Sequence, residues 1–408
     1  MVTLDVDWVR DQFPAFSEPD LVGQAFFENA GGSYTCRQVI DRLSRFYSAR
    51  KVQPYAPYQA SRLGGAEMDQ AQSRLAALLN IAEDELSFGP STTQNAYVLA
   101  QAFRQMMAPG DAIIVTNQDH EANSGAWRRL ADEGIDVREW RVDPETGRLH
   151  TSELEALLDG RVRLVCFPHC SNIVAEINPV ADWTAIAQKA GAVVCVDGVS
   201  YAPHGLPDIG GLGADIYMFS SYKTYGPHQG ILVVRQPLAS MLPNQGHYFN
   251  AETATKRFTP AGPDHAQVAA SAGMADYVDA VYAHHFNTAA DAATRGRVVH
   301  DLMRDHEIAL LGPLLAYANS HPRMRVVGPT DAKLRAPTVA LSLDMRGEDA
   351  AAALAPLGIM AGGGDFYAVR LLEALGIPPD HGVLRLSFTH YTTQAEIDQL
   401  TAALDQVI

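Results

Sequence analysis

The chain has 408 residues, of which 47% are hydrophobic and 19% charged, enough apolar material for a sizeable core and for two domains. Its formal net charge of −16 speaks against a nucleic-acid or acidic-membrane partner, and no apolar run reaches membrane-spanning length. Asp5, Asp7 and Asp11 make the first residues unlike a signal peptide, and Cys36, Cys166, Cys170 and Cys195 form no repeated CxxC framework, so the expected setting is reduced and cytoplasmic.

In chain order, Asp5 to Phe13 reads as a short helix. From Glu85 to Arg235, short β-branched runs alternate with helical stretches. Strands are expected at Glu85–Phe88, Ala112–Val115, Ile135–Val142, Val162–Phe167, Ala192–Val196, Ile216–Ser220 and Ile231–Arg235. Helices are expected at Thr92–Met107, through Trp127 and Leu130, at Ser152–Leu158 and at Ala181–Ala190. Such alternation predicts an α/β fold, a mostly parallel sheet of seven strands covered by helices on both faces. After about residue 265 the pattern changes to a long helical region, Ala266 to Ser320. Strands near Met324–Val327 and Thr338–Leu343, a helix near Ala350–Leu357 and a strand at Leu384–Phe388 follow. Thr393-Gln394-Ala395-Glu396 fits a capping box that opens the last helix. The expected organisation is an N-terminal segment (1–20) packing with the small domain, a large domain (21–265), and an interdomain helix with a small α+β domain (266–408).

Ligand sites in such sheets lie beyond the carboxyl ends of the strands. Asp197 ends the apolar run Val193-Val194-Cys195-Val196, and Lys223 lies just past Ile216–Ser220. That pair suits pyridoxal 5'-phosphate: the amine holds the aldehyde as a Schiff base and the carboxylate keeps the pyridine nitrogen protonated. Taken alone, Lys223 reads equally as a solvated loop residue and Asp197 as a turn residue. Ser91-Thr92-Thr93 opens a helix and can seat a phosphate or simply cap it. His120 suits ring stacking and proton relay, or a helix cap. Ser171-Asn172 is placed to donate to the cofactor's phenolic oxygen, or is a plain turn. Cys166, His169 and Cys170 lack a second ligand pair at zinc spacing, so no metal is expected. Arg385 inside an apolar strand needs a partner, either a substrate carboxylate or a structural ion pair. Ile209-Gly210-Gly211-Leu212-Gly213 leads into a strand rather than a helix, the wrong context for a dinucleotide fingerprint, and is read as a turn.

Together these residues resemble the class V aminotransferase family of fold type I, on the branch of cysteine desulfurases and selenocysteine lyases. The resemblance runs from Phe26-Phe27-Glu28-Asn29-Ala30-Gly31-Gly32 to the last helix. It implies phosphate binding by Thr92 and Thr93 with Ser220 or Ser221 and Tyr222, and ring stacking by His120. It places Asn172 and Ser200 near the phenolic oxygen, Asp197 at the pyridinium and Lys223 as the Schiff-base lysine. Arg385 would take the substrate carboxylate, with Asn29, Ala30 and Tyr367 on the substrate side. It further implies a homodimer, with Arg257 to His265 reaching the partner's cofactor. Several positions depart from the family pattern. Ser200 stands where Gln or His is common, Tyr222 replaces a histidine, and Pro263 replaces a phosphate-binding threonine. Tyr367 falls nearest the position of the desulfurase nucleophilic cysteine. The implied chemistry acts on an amino acid through a Cα carbanion. It leads to transamination or to β-elimination as a C–S lyase, with epimerisation as an alternative on the same scaffold. A non-catalytic binding protein would have no need of Lys223, Asp197, Asn172 and Arg385 together, and an NAD-dependent enzyme would need a strand–GxGxxG–helix unit.

Overall fold

The computed structural model describes residues 2–408. Its centre is a seven-stranded sheet in the order Leu86–Gly89, Gly230–Val234, Ile216–Ser220, Val193–Asp197, Val162–Pro168, Ala112–Thr116, Asp136–Trp140. All strands run parallel except Gly230–Val234, which is antiparallel to both neighbours. The chain is an α/β protein with a mostly parallel seven-stranded sheet, as its alternating pattern predicts.

Strand periodicity explains the two covered faces. Ile113, Val115, Leu164, Cys166, Ile216 and Met218 point to one side, where Leu99 and Phe103 of helix Thr92–Arg104 and Trp127 of helix Glu121–Arg128 meet them. Their chain neighbours Ile114, Val165, Phe167, Val194, Val196, Tyr217 and Phe219 point to the other. There they meet Trp183 of helix Val180–Lys189, Leu75 of helix Gln59–Leu78 and Val278 of helix His265–His285. Because both faces are buried, these strands read as continuous apolar runs rather than alternating ones.

In the C-terminal third, Gly362–Gly364, Val383–Ser387, Thr338–Ser342 and Arg325–Val326 form an antiparallel sheet in that order. Leu310 and Leu314 of helix Ala292–Ser320 and Ile397, Leu400 and Leu404 of helix Gln394–Val407 bury one side of it. Thr393 and Glu396 form the expected capping box. Ala25–Phe26 pairs parallel with Ile359–Met360, and a bridge from Glu28 to Ser387 continues that contact. The opening motif thus lies against the strand that carries Arg385.

Several elements differ from expectation. Helices Arg37–Ala49 and Gln59–Leu78 occupy a stretch that had no assignment. The region 266–320 is two helices, the first ending at His285 and the second capped by Asp291. Gly362–Gly364 is a strand, against the opposed Val383–Ser387. Ile209–Leu212 is one helical turn, closed by Gly213 at φ +75°.

Candidate active site

The cleft lies beyond the carboxyl ends of the central strands. Val193–Asp197 delivers Asp197, Val162–Pro168 leads into Asn172, and Ile216–Ser220 leads through one turn of 3-10 helix to Lys223. The inner cleft brings together Ser91, Thr92, Thr93, His120, Asn172, Asp197, Ser200, Ser220, Tyr222 and Lys223. The residues expected to touch the cofactor line one cavity, except Ser221, whose buried hydroxyl instead donates to Pro227 O at 2.5 Å.

At one end of the cleft, Ser91 caps helix Thr92–Arg104 by accepting from Gln94 N at 3.1 Å. The Thr92 and Ser220 hydroxyls lie 2.8 Å apart. Strand Gly230–Val234 passes so close that a Cβ at Gly230 would overlap the Ser91 and Thr92 backbone. Hydroxyls and free N–H groups at a helix start attract an anion. At the other end, Asp197 is buried and its Oδ1 accepts from Val199 N at 2.8 Å. Burial pushes its carboxyl up to about 6, against the opposing pull of that hydrogen bond and of Lys223.

Lys223 is half-buried, and its Nζ has no hydrogen-bond or ion-pair partner among the described residues. Burial, reinforced by the Arg385 charge, lowers its amine to about 8, whereas Asp197 and Glu28 pull the other way. His120 caps a helix and also borders the cleft. Its Nδ1 accepts from Ala122 N at 3.0 Å, capping helix Glu121–Arg128, while the ring lines the cleft. Burial, with help from Lys223 and Arg385, lowers it to about 3, so the ring is neutral at working pH. Asn172 donates from Nδ2 to Phe366 O at 2.9 Å, and its buried Oδ1 is unpartnered. Tyr222 stacks on His228 with centroids 4.6 Å apart.

An outer chamber continues the cleft, lined by Glu28, Ala30, Tyr97, Glu121, Tyr367 and Arg385 among others. Ala30 and Tyr367 are thus on the expected side; Asn29 lies deeper, its Oδ1 accepting from Tyr391 OH at 2.6 Å. Arg385 is buried and already engaged. Its Nη2 meets Glu28 Oε1 at 2.7 Å, and its guanidinium lies 3.7 Å from the Phe366 ring centroid. Both partners escaped sequence reasoning. Glu28 stood inside the quoted opening motif, where a carboxylate between apolar residues and two glycines was the available signal.

Pyridoxal 5'-phosphate fits these donors. The helix start with its hydroxyls suits the phosphate, Asp197 suits a protonated ring nitrogen, the Asn172 amide keeps its second Nδ2 proton and an unpartnered Oδ1 at the cleft wall, and the unpaired Lys223 amine suits an aldehyde. The aminotransferase class V family model matches residues 25–400. The chain belongs to the class V aminotransferase family. This family member is 32% identical to the aminotransferase-like protein FGM3 of Gibberella zeae, covering 100% of this chain and 99% of that one. It is 30% identical to a cysteine desulfurase of Serratia proteamaculans over the same shares. In fold it is similar to the apo cysteine desulfurase of Thermococcus onnurineus, with a TM-score of 0.87 at 21% identity over 100% of this chain and 99% of that one. It is also similar to a C-DES mutant with glycine covalently linked to its PLP cofactor, with a TM-score of 0.78 at 17% identity over 98% and 99%. It is a pyridoxal 5'-phosphate-dependent enzyme. No helix among the described residues is long and apolar enough to cross a membrane.

Proposed function

We propose that this enzyme acts on an amino acid by removing its Cα proton, with transamination or β-elimination as the outcome. The observation that carries the reading is the unpaired, half-buried Lys223 amine between Asp197 and Arg385 in one continuous cleft. Thr92, Thr93, Ser220 and the start of helix Thr92–Arg104 hold the phosphate, Tyr222 helps, and Ser200 and Asn172 serve the ring oxygen. Bound there, pyridoxal 5'-phosphate supplies an aldehyde that condenses with amines and a ring that withdraws electrons from Cα. Asp197 holds the ring nitrogen's proton, and neutral His120 covers the ring face. Arg385 orients the substrate carboxylate, with Asn29 and Ala30 behind it and Tyr367 at the mouth. Lys223, displaced by the substrate amine, is poised near neutral pH to take the proton and return it.

The described cysteines are all buried. Only Cys170 touches the cleft, and burial pushes its thiol up to about 12. Tyr367, on the loop Asp365-Phe366-Tyr367, is the exposed residue there. A persulfide-forming thiolate is therefore not part of the proposed mechanism. The proposed assembly is a homodimer. Tyr55, Tyr248 and Phe249 supply the exposed aromatic surface, close to the segment Arg257 to His265 that would face the partner's cofactor.

The test is a titration of the purified holoenzyme with amino acids, following the cofactor's visible absorption and the products. Bleaching by an amino acid and recovery with a keto acid means transamination. A persistent band with accumulating keto acid and a released β-substituent means elimination. Solvent-proton exchange with inversion alone would move the reading to epimerisation, and no cofactor uptake would refute it.

A further inference from the structure

The Glu28–Arg385 pair has a consequence for which substrates can enter. Arg385 Nη2 is held by Glu28 Oε1 at 2.7 Å, Nη1 reaches only Asn172 O at 3.5 Å, and one guanidinium face lies on Phe366. A substrate carboxylate that docks on this arginine has to share or displace Glu28. Glu28 has little else to turn to. Its side chain is 28% exposed, its Oε2 is buried without a partner, and Gly31 and Gly362 leave it room that a Cβ at either position would fill. A half-buried carboxylate stripped of its cation is strongly disfavoured unless another cation replaces it.

The charges of the outer chamber say where that cation comes from. Its ionisable walls are Glu28, Glu121, Lys223, Arg385 and His120, and His120 is neutral. With Lys223 joined to the cofactor and Arg385 to the substrate carboxylate, Glu28 and Glu121 are left as two anions around the substrate side chain. Glu121 has one cation nearby, Arg370 Nε at 3.5 Å, and both of those side chains are about half exposed. Tyr97 and Tyr367 complete the wall with faces that favour a cation over an anion.

We propose that this enzyme selects amino acids with a cationic side chain, an ammonium or a guanidinium, and that Glu28 determines that specificity by exchanging Arg385 for the substrate's distal cation. The inference rests on the amino-acid reading above. It deepens that reading by assigning the substrate class and gives a role to a residue outside the cofactor contacts.

The experiment is an equilibrium titration of the wild-type holoenzyme, read by the change in cofactor absorption, with arginine against citrulline and lysine against norleucine. Each cationic amino acid is expected to bind roughly tenfold tighter than its neutral counterpart, and comparison of arginine with lysine separates guanidinium from ammonium. In Glu28→Gln the preference should fall to about twofold, while norleucine binds no more weakly than to wild type because Arg385 is released. Glu121→Gln, at the exposed rim, should lower the preference partially and serves if Glu28→Gln does not fold. Equal binding of charged and neutral partners by wild type, or an undiminished preference in Glu28→Gln, would overturn the proposal. Absence of any spectral response to any amino acid would overturn the amino-acid reading itself, and this inference with it.

Discussion

Replacing Asp197 by Asn should have opposite effects on the cofactor-free and cofactor-loaded protein. Asp197 is buried, accepts one backbone hydrogen bond and has no direct cationic partner in the protein, which raises its carboxyl from 3.8 to about 6. A folded-state value above the unfolded one means the folded chain holds the proton more tightly. Ionisation therefore disfavours the folded state as pH rises. The penalty is absent below about pH 4 and reaches about half its size near pH 5. It is nearly complete at pH 8, where it amounts to about 3 kcal/mol. Asn keeps the acceptor for Val199 N–H and carries no charge. Cofactor-free Asp197→Asn should thus be more stable than wild type by about 3 kcal/mol at pH 8, and by about half of that at pH 5. In the proposed site the carboxylate would face the cationic ring nitrogen of bound cofactor, and the variant should lose cofactor affinity and turnover. Urea denaturation of both proteins, with and without cofactor, at pH 5 and pH 8 measures the stabilities and the cofactor's contribution to them, and an activity assay reads turnover. A cofactor-free variant no more stable than wild type at pH 8 would refute the reasoning, because it would show that the buried carboxylate is already compensated within the protein.

Lys223→Ala should abolish the visible band of covalently held cofactor and lower turnover by at least about 10²-fold; an unchanged spectrum and rate would remove Lys223 from its assigned role. Arg304→Leu should destabilise the fold by about 3–5 kcal/mol, since it strips Glu307, fully buried between Arg304 Nη1 at 3.1 Å and His204 Nδ1 at 3.0 Å, of one of its two partners. Thermal or urea unfolding checks this, and a loss below about 1 kcal/mol would mean that His204 suffices. A thiol reagent such as DTNB should label the native protein slowly and all four cysteines only after denaturation, because each is buried and burial pushes Cys36 and Cys170 up to about 12. A fast-reacting thiol would reopen a nucleophilic role.

The central sheet was legible because parallel strands buried on both faces spell themselves as apolar runs. The sites at their ends were legible because a charged residue closing such a run, as Asp197 does, stands out. Helix Gln59–Leu78 was not legible: its buried face is built from Ser61, Gly64, Gly65 and Ala71 as much as from Leu75 and Leu78, so the usual large-apolar periodicity is weak. The partners across the cleft were not legible either. Glu28 and Arg385 are joined only because Ala25–Phe26 pairs with Ile359–Met360 and Glu28 bridges to Ser387, contacts that span most of the chain. Arg385 could be recognised as a residue that needs a partner. Which partner it has is a property of the fold.

The loop over the outer chamber shows the same division at one turn of backbone. Phe366 and Tyr367 lie at φ +51° and +58°, a conformation that non-glycine residues adopt at a cost of about 1–3 kcal/mol each. Nothing in Asp365-Phe366-Tyr367-Ala368 announces it, since only Gly, Asn or Asp would signal a left-handed turn there. The conformation is held from outside those two residues. Asn172 Nδ2 donates to Phe366 O at 2.9 Å, Glu121 N to Tyr367 O at 2.8 Å, and Tyr367 N to Asp365 Oδ1 at 2.7 Å, while Arg385 lies on the Phe366 ring. Three of those four contacts come from residues that line the cleft, so the strain of the loop is offset by groups of the cleft wall itself. Loop and site are therefore one energetic unit: a ligand that draws Arg385 or Asn172 away removes part of what holds Phe366 and Tyr367 in place.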